Sequence, residues 1–286
     1  MSSMIESIRI RTSSRSYDKR PLEPEKRKQI EDQLSSNKKG PFGSTVRFQL
    51  FGFAEGGQGQ TENLGTYGVI KGTPLFIVGA IMNTDKAMED YGYCMEKNIL
   101  VATSLGLGTC WLGGFFKRSA FASKIGLTAH EVMPAVSPLG YTAEKKTLID
   151  SLFKFLARSK TRKPWEELFY SNDFNTPLIK SDVERYATCL EVVRLAPSAS
   201  NRQPWRILRE EGKNTFHFYL RRAKMYTTAT RRIDLQKVDM GIAMCHFELT
   251  ARELGLKGNW KQQGTRISSE DKEYIVSWKE RLIQSK

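Results

Sequence analysis

One block of this sequence occurs twice at a fixed distance, and this repeat limits the possible folds more than any other feature. Seven identities fall within 22 aligned positions without a gap, and every pair is offset by 149 residues (254 − 105 = 149). Self-similarity at a fixed period indicates repeated structural units, so the sequence predicts two related halves. The recurring residues of the first copy are Asp90, Gly92, Ala102, Leu105, Gly106, Leu107 and Trp111.

The pattern of apolar residues predicts an α+β fold. Long apolar helices are expected at 85–105 and 237–254, and strands at 46–53, 74–82, 132–141, 205–209 and 215–221. A flexible loop is expected at 55–60 and a short helix at 148–156. No G-x-G-x-x-G opens a helix after a strand, which argues against a dinucleotide-binding fold. We expect one half at 1–165 and the other at 166–286, with 160–176 as the connector.

Bulk properties exclude several classes of protein. No apolar run approaches the length of a membrane span, and no secretory signal is visible. Four cysteines without a CxxC pattern favour reduced thiols in the cytoplasm, and three scattered histidines argue against a metal site. The net charge of +14 leaves nucleic-acid binding as an alternative, although basic and acidic residues are interspersed and no nucleic-acid motif occurs.

The segment 196–205 (APSASNRQPW) is the most distinctive local motif. Two prolines fix the backbone at its ends, and Asn201 and Gln203 carry amides that donate and accept hydrogen bonds. A rigid polar corner of this kind suits a flat, hydrogen-bonding heterocycle such as a flavin. The same composition is also typical of an ordinary loop.

Four motifs together resemble the FMN-dependent nitroreductase family. The corner is similar to that family's A-P-S-x-x-N-x-Q-P-W, and 11–18 (RTSSRSYD) is similar to R-x-S-x-[RK]-x-[FY]. The segment 106–115 (GLGTCWLGGF) resembles G-[LI]-G-x-x-x-x-x-G-F, and 160–168 (KTRKPWEEL) resembles a late K-x-R-x-P-x-E-E.

The resemblance implies FMN as cofactor, NADH or NADPH as reductant, and a set of binding residues. The cationic residues of the set would neutralise the FMN phosphate, the glycines would admit the ring edge, and the corner would bond the pyrimidine edge. No catalytic side chain and no metal are implied, since the chemistry takes place at flavin N5. The implied cofactor-binding residues are Arg11, Ser13, Arg15, Cys110, Trp111, Gly113, Gly114, Lys160, Arg162, Pro197, Ser198, Ala199, Ser200, Asn201 and Gln203.

Three of these assignments have an alternative in which the residues play no part in cofactor binding. The cations could form a solvated basic face, the glycines a plain turn, and Trp111 a core residue, since Trp260 holds the equivalent place in the other copy. Cys110 is replaced by Asn259 in that copy, so the repeat does not decide its role.

The order of the motifs departs from the family. The A-P-S segment ordinarily precedes the G-L-G segment, whereas here it follows it, and 39–45 (KGPFGST) occupies the early position. In related homodimers one subunit supplies the arginines and the other the A-P-S corner, so a fusion of two subunits explains the order. The sequence therefore predicts an internally duplicated pseudo-dimer with one flavin site and one eroded site, because 171–180 (SNDFNTPLIK) lacks the arginines.

The expected function is FMN-dependent transfer of hydride from NAD(P)H to a small-molecule acceptor such as a nitro compound or a quinone. The alternative is a non-catalytic flavin-binding or flavin-storage protein with the same fold. We expect a monomer without membrane or nucleic-acid partners, although further self-association remains open.

Overall fold

The computed structural model describes residues 3–52, 69–72, 75–114, 116–143, 161–223, 233–262 and 270–281. The helices are α1 (Met4–Ile10), α2 (Pro24–Ser36), α3 (Ala87–Ser104), α4 (Arg118–Lys124), α5 (Glu184–Leu195) and α6 (Leu235–Glu253). The strands are β1 (Val46–Gly52), β2 (Leu75–Met82), β3 (Gly108–Thr109), β4 (Glu131–Val132), β5 (Val136–Gly140), β6 (Phe169–Ser171), β7 (Trp205–Arg209), β8 (Thr215–Arg221), β9 (Gly258–Lys261) and β10 (Lys272–Glu280).

Two sheets with matching strand orders form the frame. The first runs β1-β2-β5-β3 with β4 beside β2, and the second runs β6-β7-β8-β10-β9. All pairs are antiparallel except β6 with β7, which is parallel. Without β4 and β6, both sheets have the same order of antiparallel neighbours. The prediction of an α+β fold with long core helices is confirmed.

Residues at the ends of the two long helices explain where these helices begin and end. Asp234 accepts hydrogen bonds from the backbone N–H groups of Gln236 and Lys237, which caps the start of α6. Gly106 and Gly255 follow the ends of α3 and α6 with φ of 76° and 72°, a conformation that glycine adopts without strain. The predicted helices at 85–105 and 237–254 therefore end where their Leu-Gly pairs occur.

Helices α3 and α6 cross in close contact at two glycines. A Cβ added to Gly92 would lie 2.1 Å from the carbonyl oxygen of Val238, and one added to Gly241 would lie 1.9 Å from that of Glu89. The contact is reciprocal, since 92 + 149 = 241 and 89 + 149 = 238. Residues of both helices belong to one hydrophobic core cluster.

Some local predictions need correction. The strand expected at 132–141 is divided into β4 and β5, with residues 133–135 between them. The connector expected at 160–176 contains β6, which extends the second sheet. The loop expected at 55–60 and the helix expected at 148–156 lie outside the described residues.

We predict that Gly92→Ala and Gly241→Ala each destabilise the fold. A methyl group at either position would overlap a backbone carbonyl of the opposite helix, and overpacking costs about 1–3 kcal/mol, which exceeds the gain in helix propensity of about 1 kcal/mol. Urea unfolding followed by far-UV circular dichroism measures the change. Gly114→Ala is the matched control, because no atom lies within 4 Å of a Cβ built there. Unfolding midpoints equal to wild type in both variants would show that the helices do not cross at these glycines.

Candidate active site

The first arginine motif lies beside the turn that follows α3. Ser13 forms a parallel bridge with Thr109, and the N–H of Ser14 donates to the carbonyl of Thr109 at 2.8 Å. The side chain of Arg11 is only 6% exposed, and its Nε lies 3.9 Å from a carboxylate oxygen of Glu96. Its Nη1 is buried and has no hydrogen-bond partner among the described residues. A buried donor without an acceptor is costly, so Arg11 is suited to an anionic ligand.

The positive charge of Arg11 acts on Arg162, although the two are 151 residues apart in sequence (162 − 11 = 151). Burial lowers the pKa of Arg162 to about 10, and the positive charges of Arg11 and Arg194 add to this effect. Its Nη2 donates to the carbonyl of Leu195 at 3.0 Å. The end of the first half and the start of the corner thus meet at one positively charged point.

The corner itself has an unusual backbone. Ser200, Asn201 and Gln203 have φ of 49°, 54° and 49°, and they are three of the five non-glycine residues with positive φ in the described chain. This left-handed region is sterically costly for residues with a Cβ. Strain of this kind persists only where surrounding contacts enforce it, and it is concentrated at binding sites.

Contacts from other segments hold the corner in place. The N–H of Ala199 donates to both carboxylate oxygens of Asp239 on α6, at 3.0 and 3.2 Å. The Asn201 side chain donates to the carbonyl of Thr161 at 2.8 Å, and its Oδ1 accepts from Arg162 at 3.1 Å. The Gln203 side-chain oxygen accepts from the Lys163 N–H at 2.9 Å.

Within the corner, the Ser198 hydroxyl oxygen accepts from the N–H of Gln203 at 2.9 Å. Pro197 is partly buried and Ser200 is exposed. The side chains of Asn201 and Gln203 thus connect the corner to residues 161–163, a contact that the sequence did not predict.

The glycine turn after α3 reaches the same end of α6. A Cβ added to Gly113 would lie 2.9 Å from a methyl carbon of Leu235, whereas one added to Gly114 would meet no atom within 4 Å. Leu235 and Asp239 are four residues apart and so lie on one face of α6. The turn and the corner therefore meet the same helix face, with open space beside Gly114.

Arg118 braces this turn. One Nη2 donates to the carbonyls of Gly113 and Pro134, at 2.6 and 2.9 Å. Burial lowers the pKa of Arg118. Sequence reasoning gave this residue no role, since an arginine at the start of a short helix carries no local signal.

Cys110 and Trp111 differ in their surroundings. Cys110 is 2% exposed and packs in the core of the first sheet, with its N–H on the hydroxyl of Ser137. Trp111 is partly buried and its indole N–H donates to Glu96 at 2.7 Å. Trp111 and Arg11 therefore approach the same carboxylate, that of Glu96, and Cys110 packs inside the first sheet.

A buried carboxylate links these elements. Glu96 on α3 also accepts from His246 on α6 at 2.9 Å, and both side chains are fully buried. Burial by itself would raise the pKa of Glu96, but contacts with His246, Arg11 and Trp111 outweigh it, so that this pKa lies below its usual value. The sequence missed this pair; the only available signal was a charged residue within an apolar helix.

The other copy of the repeat has a parallel cluster. The indole of Trp260 donates to Glu248 at 2.7 Å, and the hydroxyl of Tyr93 donates to the same carboxylate at 2.8 Å. Each tryptophan thus donates a hydrogen bond to a buried glutamate. Each glutamate also accepts one from a side chain of the opposite long helix, His246 or Tyr93.

Of the expected residues, Arg162 and Asn201 are joined by a hydrogen bond, and the charge of Arg11 acts on Arg162. The backbone carbonyl of Arg15 accepts a hydrogen bond from the N–H of Lys71 at 2.8 Å, and Lys160 lies outside the described residues. Within the described ranges, no cluster of three or more His, Cys, Asp or Glu could hold a metal ion, and no helix is long and apolar enough to cross a membrane.

Comparisons with known proteins identify the family. Residues 3–251 match the family described as Putative TM nitroreductase. A structure described as a putative nitroreductase, from Thermotoga maritima, shares the fold with a TM-score of 0.61 and 20% identity, covering 97% of this chain and 93% of that chain. A comparison with curated proteins finds no significant match.

Two further solved structures each resemble about half of the chain. A putative NADH dehydrogenase/NAD(P)H nitroreductase from Parabacteroides distasonis is 24% identical over 50% of this chain and 89% of that chain, with a TM-score of 0.41. A nitroreductase with bound FMN from Desulfitobacterium hafniense is 18% identical over 51% of this chain and 92% of that chain, also with a TM-score of 0.41. From the match over residues 3–251, the chain belongs to the Putative TM nitroreductase family and is an oxidoreductase of the nitroreductase type.

Proposed function

We propose that this oxidoreductase is FMN-dependent and binds one flavin between the arginine motifs and the A-P-S corner. The observation that carries the proposal is the buried Nη1 of Arg11, which lacks a partner among the described residues and lies near the cation of Arg162. A phosphate group carries a charge between about −1.5 and −2. It would pair with the unsatisfied donor and offset the repulsion between the two arginines.

The remaining expected residues fit the other parts of FMN. Ser13 lies two residues from each of Arg11 and Arg15, and we place all three at the phosphate together with Arg162 and Lys160. The open space at Gly114 would admit the ring edge to the backbone, with Gly113 continuing the turn.

The second half would supply the other wall. We place Pro197, Ser198, Ala199, Ser200, Asn201 and Gln203 against the ring, and Trp111 and Cys110 behind the glycine turn. When bound, FMN supplies the hydride-accepting N5 atom. The chain's own residues orient the cofactor and hold its charge.

We further propose that the chain is a fused pseudo-dimer. Asp239 holds the corner through the N–H of Ala199, and Asp90, which lies 149 residues earlier, accepts from the N–H groups of Phe42 and Ser44 at 2.8 Å each. The same carboxylate position therefore holds a corner in each half. The matching strand orders of the two sheets support the same origin.

The mirror site would be eroded. Its corner at 39–45 has no Asn or Gln, and the segment 171–180 has no arginine. Gly40 approaches the Asp90 side chain so closely that a Cβ there would lie 2.2 Å from a carboxylate oxygen. Only one complementary set of anion-binding and ring-binding residues remains, which supports one flavin site per chain.

The reductant proposed is NADH or NADPH and the acceptor a nitro compound, a quinone or a similar small molecule, in a cytoplasmic protein. The alternative, a flavin-storage protein, shares every binding contact and differs only in turnover. Absorbance of the purified protein between roughly 350 and 500 nm tests for bound flavin, because the cofactor and not the polypeptide absorbs there. Anaerobic bleaching by NADH or NADPH, followed by recovery with an acceptor, supports the enzyme. A yellow protein that neither nucleotide bleaches favours storage.

We predict one FMN per chain at saturation. Extracted flavin, quantified by absorbance against protein mass, should give a ratio near one. A ratio near two would contradict the eroded mirror site.

We predict that Arg11→Ala weakens FMN binding by about 1.5–3 kcal/mol, the range for hydrogen bonds to charged groups. Riboflavin lacks the phosphate and should lose much less affinity, which fluorescence titration of both ligands measures. Arg9→Ala, on the exposed side of α1, is the matched control. Equal losses for the two ligands would place Arg11 away from the phosphate.

We predict that the flavin site forms within one chain. Flavin content and activity per milligram should then stay constant when the protein is diluted to nanomolar concentration, unlike in an obligate homodimer. Mixing Arg11→Ala with Asn201→Ala subunits should restore no activity, since neither chain contains an intact set. Recovery in the mixture would mean that the site includes residues from two chains.

A further inference from the structure

A fully buried histidine on α6 has a hydrogen-bond acceptor at each of its two ring nitrogens. The Nδ1 atom of His246 lies 2.9 Å from the backbone carbonyl oxygen of Val192, and its Nε2 atom lies 2.9 Å from Oε1 of Glu96. A carbonyl oxygen only accepts hydrogen bonds, so Nδ1 carries a proton. Nε2 faces a carboxylate oxygen, and this contact also requires a proton between the two atoms.

The surroundings of Glu96 place this second proton on the histidine. The other carboxylate oxygen of Glu96 accepts from the indole N–H of Trp111 at 2.7 Å, and Nε of Arg11 lies 3.9 Å from Oε1. Burial opposes ionisation of Glu96, but its contacts with His246, Arg11 and Trp111 hold the pKa of this carboxyl below its usual value. Glu96 is therefore the ionised partner, and the ring of His246 is an imidazolium.

The imidazolium changes what the neighbouring arginine can do. The side chain of Arg11 is 6% exposed and that of Glu96 is fully buried, so that water screens their attraction only weakly. A buried carboxylate at this place would cancel the charge of Arg11. With a positive His246 the charges of Arg11, Glu96 and His246 sum to +1, whereas a neutral His246 would leave a sum of zero.

The corresponding tryptophan of the other copy bonds a glutamate with different partners. Glu248 accepts from the indole of Trp260 and from the hydroxyl of Tyr93, which is a neutral donor. The charge of Glu248 is paired with Arg252, whose side chain is 66% exposed. A buried histidine thus accompanies the glutamate that approaches Arg11, and a surface arginine accompanies the other.

We propose that His246 is a positioning residue of the anion site: as a buried imidazolium it cancels the charge of Glu96, so that the full charge of Arg11 acts on a phosphate group. The buried Nη1 of Arg11, which has no hydrogen-bond partner among the described residues, is the donor that this charge would serve. The proposal rests on the flavin-binding function proposed above, since the phosphate is that of FMN.

Titration of the full chain with FMN and with riboflavin tests the proposal. His246→Gln keeps a neutral donor toward Glu96 and removes the imidazolium charge, so FMN affinity should fall at least about 10-fold, the scale of one charged hydrogen bond. Riboflavin affinity should stay near that of wild type, because riboflavin lacks the phosphate. Glu96→Gln and the double variant should both keep FMN affinity near that of wild type, since a buried imidazole without a counter-charge is neutral and Arg11 again supplies the net charge.

Tyr93→Phe is the matched control, because it removes a buried donor to Glu248 and changes no charge beside Arg11. Both affinities should be unchanged in this variant. A double variant that loses as much FMN affinity as His246→Gln would show that the histidine is needed for the fold alone, and would overturn the proposal. A gain of about 10-fold in Glu96→Gln would show that Glu96 cancels Arg11 in the wild type, which overturns it even if His246→Gln fails to fold.

Nitrogen NMR of the full chain with isotope-labelled histidine separates this inference from the flavin function. The chain has three histidines, so substitution of His130 and His217 assigns the remaining signal to His246. We expect protons on both ring nitrogens of His246 at neutral pH without added flavin, and a single protonated nitrogen would overturn the inference. A doubly protonated His246 in a chain that binds no FMN would refute the proposed flavin function and leave the charge arrangement standing.

Discussion

The approach of two helix backbones at Gly92 and Gly241 is the constraint on which the remaining structure depends. A Cβ at either position would overlap a carbonyl of the opposite helix, so the spacing and register of α3 and α6 are fixed at this point. Asp90 and Asp239 each lie two residues before one of these glycines, and each holds a loop from its own half. The positions of both corners therefore follow from the crossing.

Several charged side chains are buried around this crossing despite the energetic cost of their burial. Removing a charge from water is expensive, and a buried ion pair seldom recovers more than its cost. Glu96 and His246 are fully buried, yet they connect both long helices to Arg11 and Trp111. The pair therefore lies beside Arg11, whose side chain is almost entirely shielded from solvent. The left-handed backbone of the corner is a second unfavourable feature at the same place, which is typical of functional regions.

The sequence predicts the parts of this protein that depend on local pattern. Both long helices, their Leu-Gly ends and the α+β class follow from periodicity and from the repeat. The strand β6 was missed because three residues in a polar segment carry no pattern of their own, and β7 alone defines them. The motif residues Arg162 and Asn201 were recognised separately, and their side chains form a hydrogen bond. By contrast, the contacts of His246 with Glu96 and of Asp239 with Ala199 were not predicted, because the partners of a buried polar group are distant from it in sequence.

Fusion of two copies would also change which substitutions are tolerated where the copies meet. In a symmetric dimer every substitution occurs twice, so a residue at the crossing faces an identical copy of itself or of its neighbours. Here the equivalent positions beside the two glycines hold different residues, the fully buried Glu89 and the apolar Val238. Burial raises the pKa of Glu89, with Lys86 and Lys237 opposing the shift. A homodimer would have to accommodate two such carboxylates in one interface, whereas a fused chain would accommodate one and could differ in sequence on the two sides of the crossing.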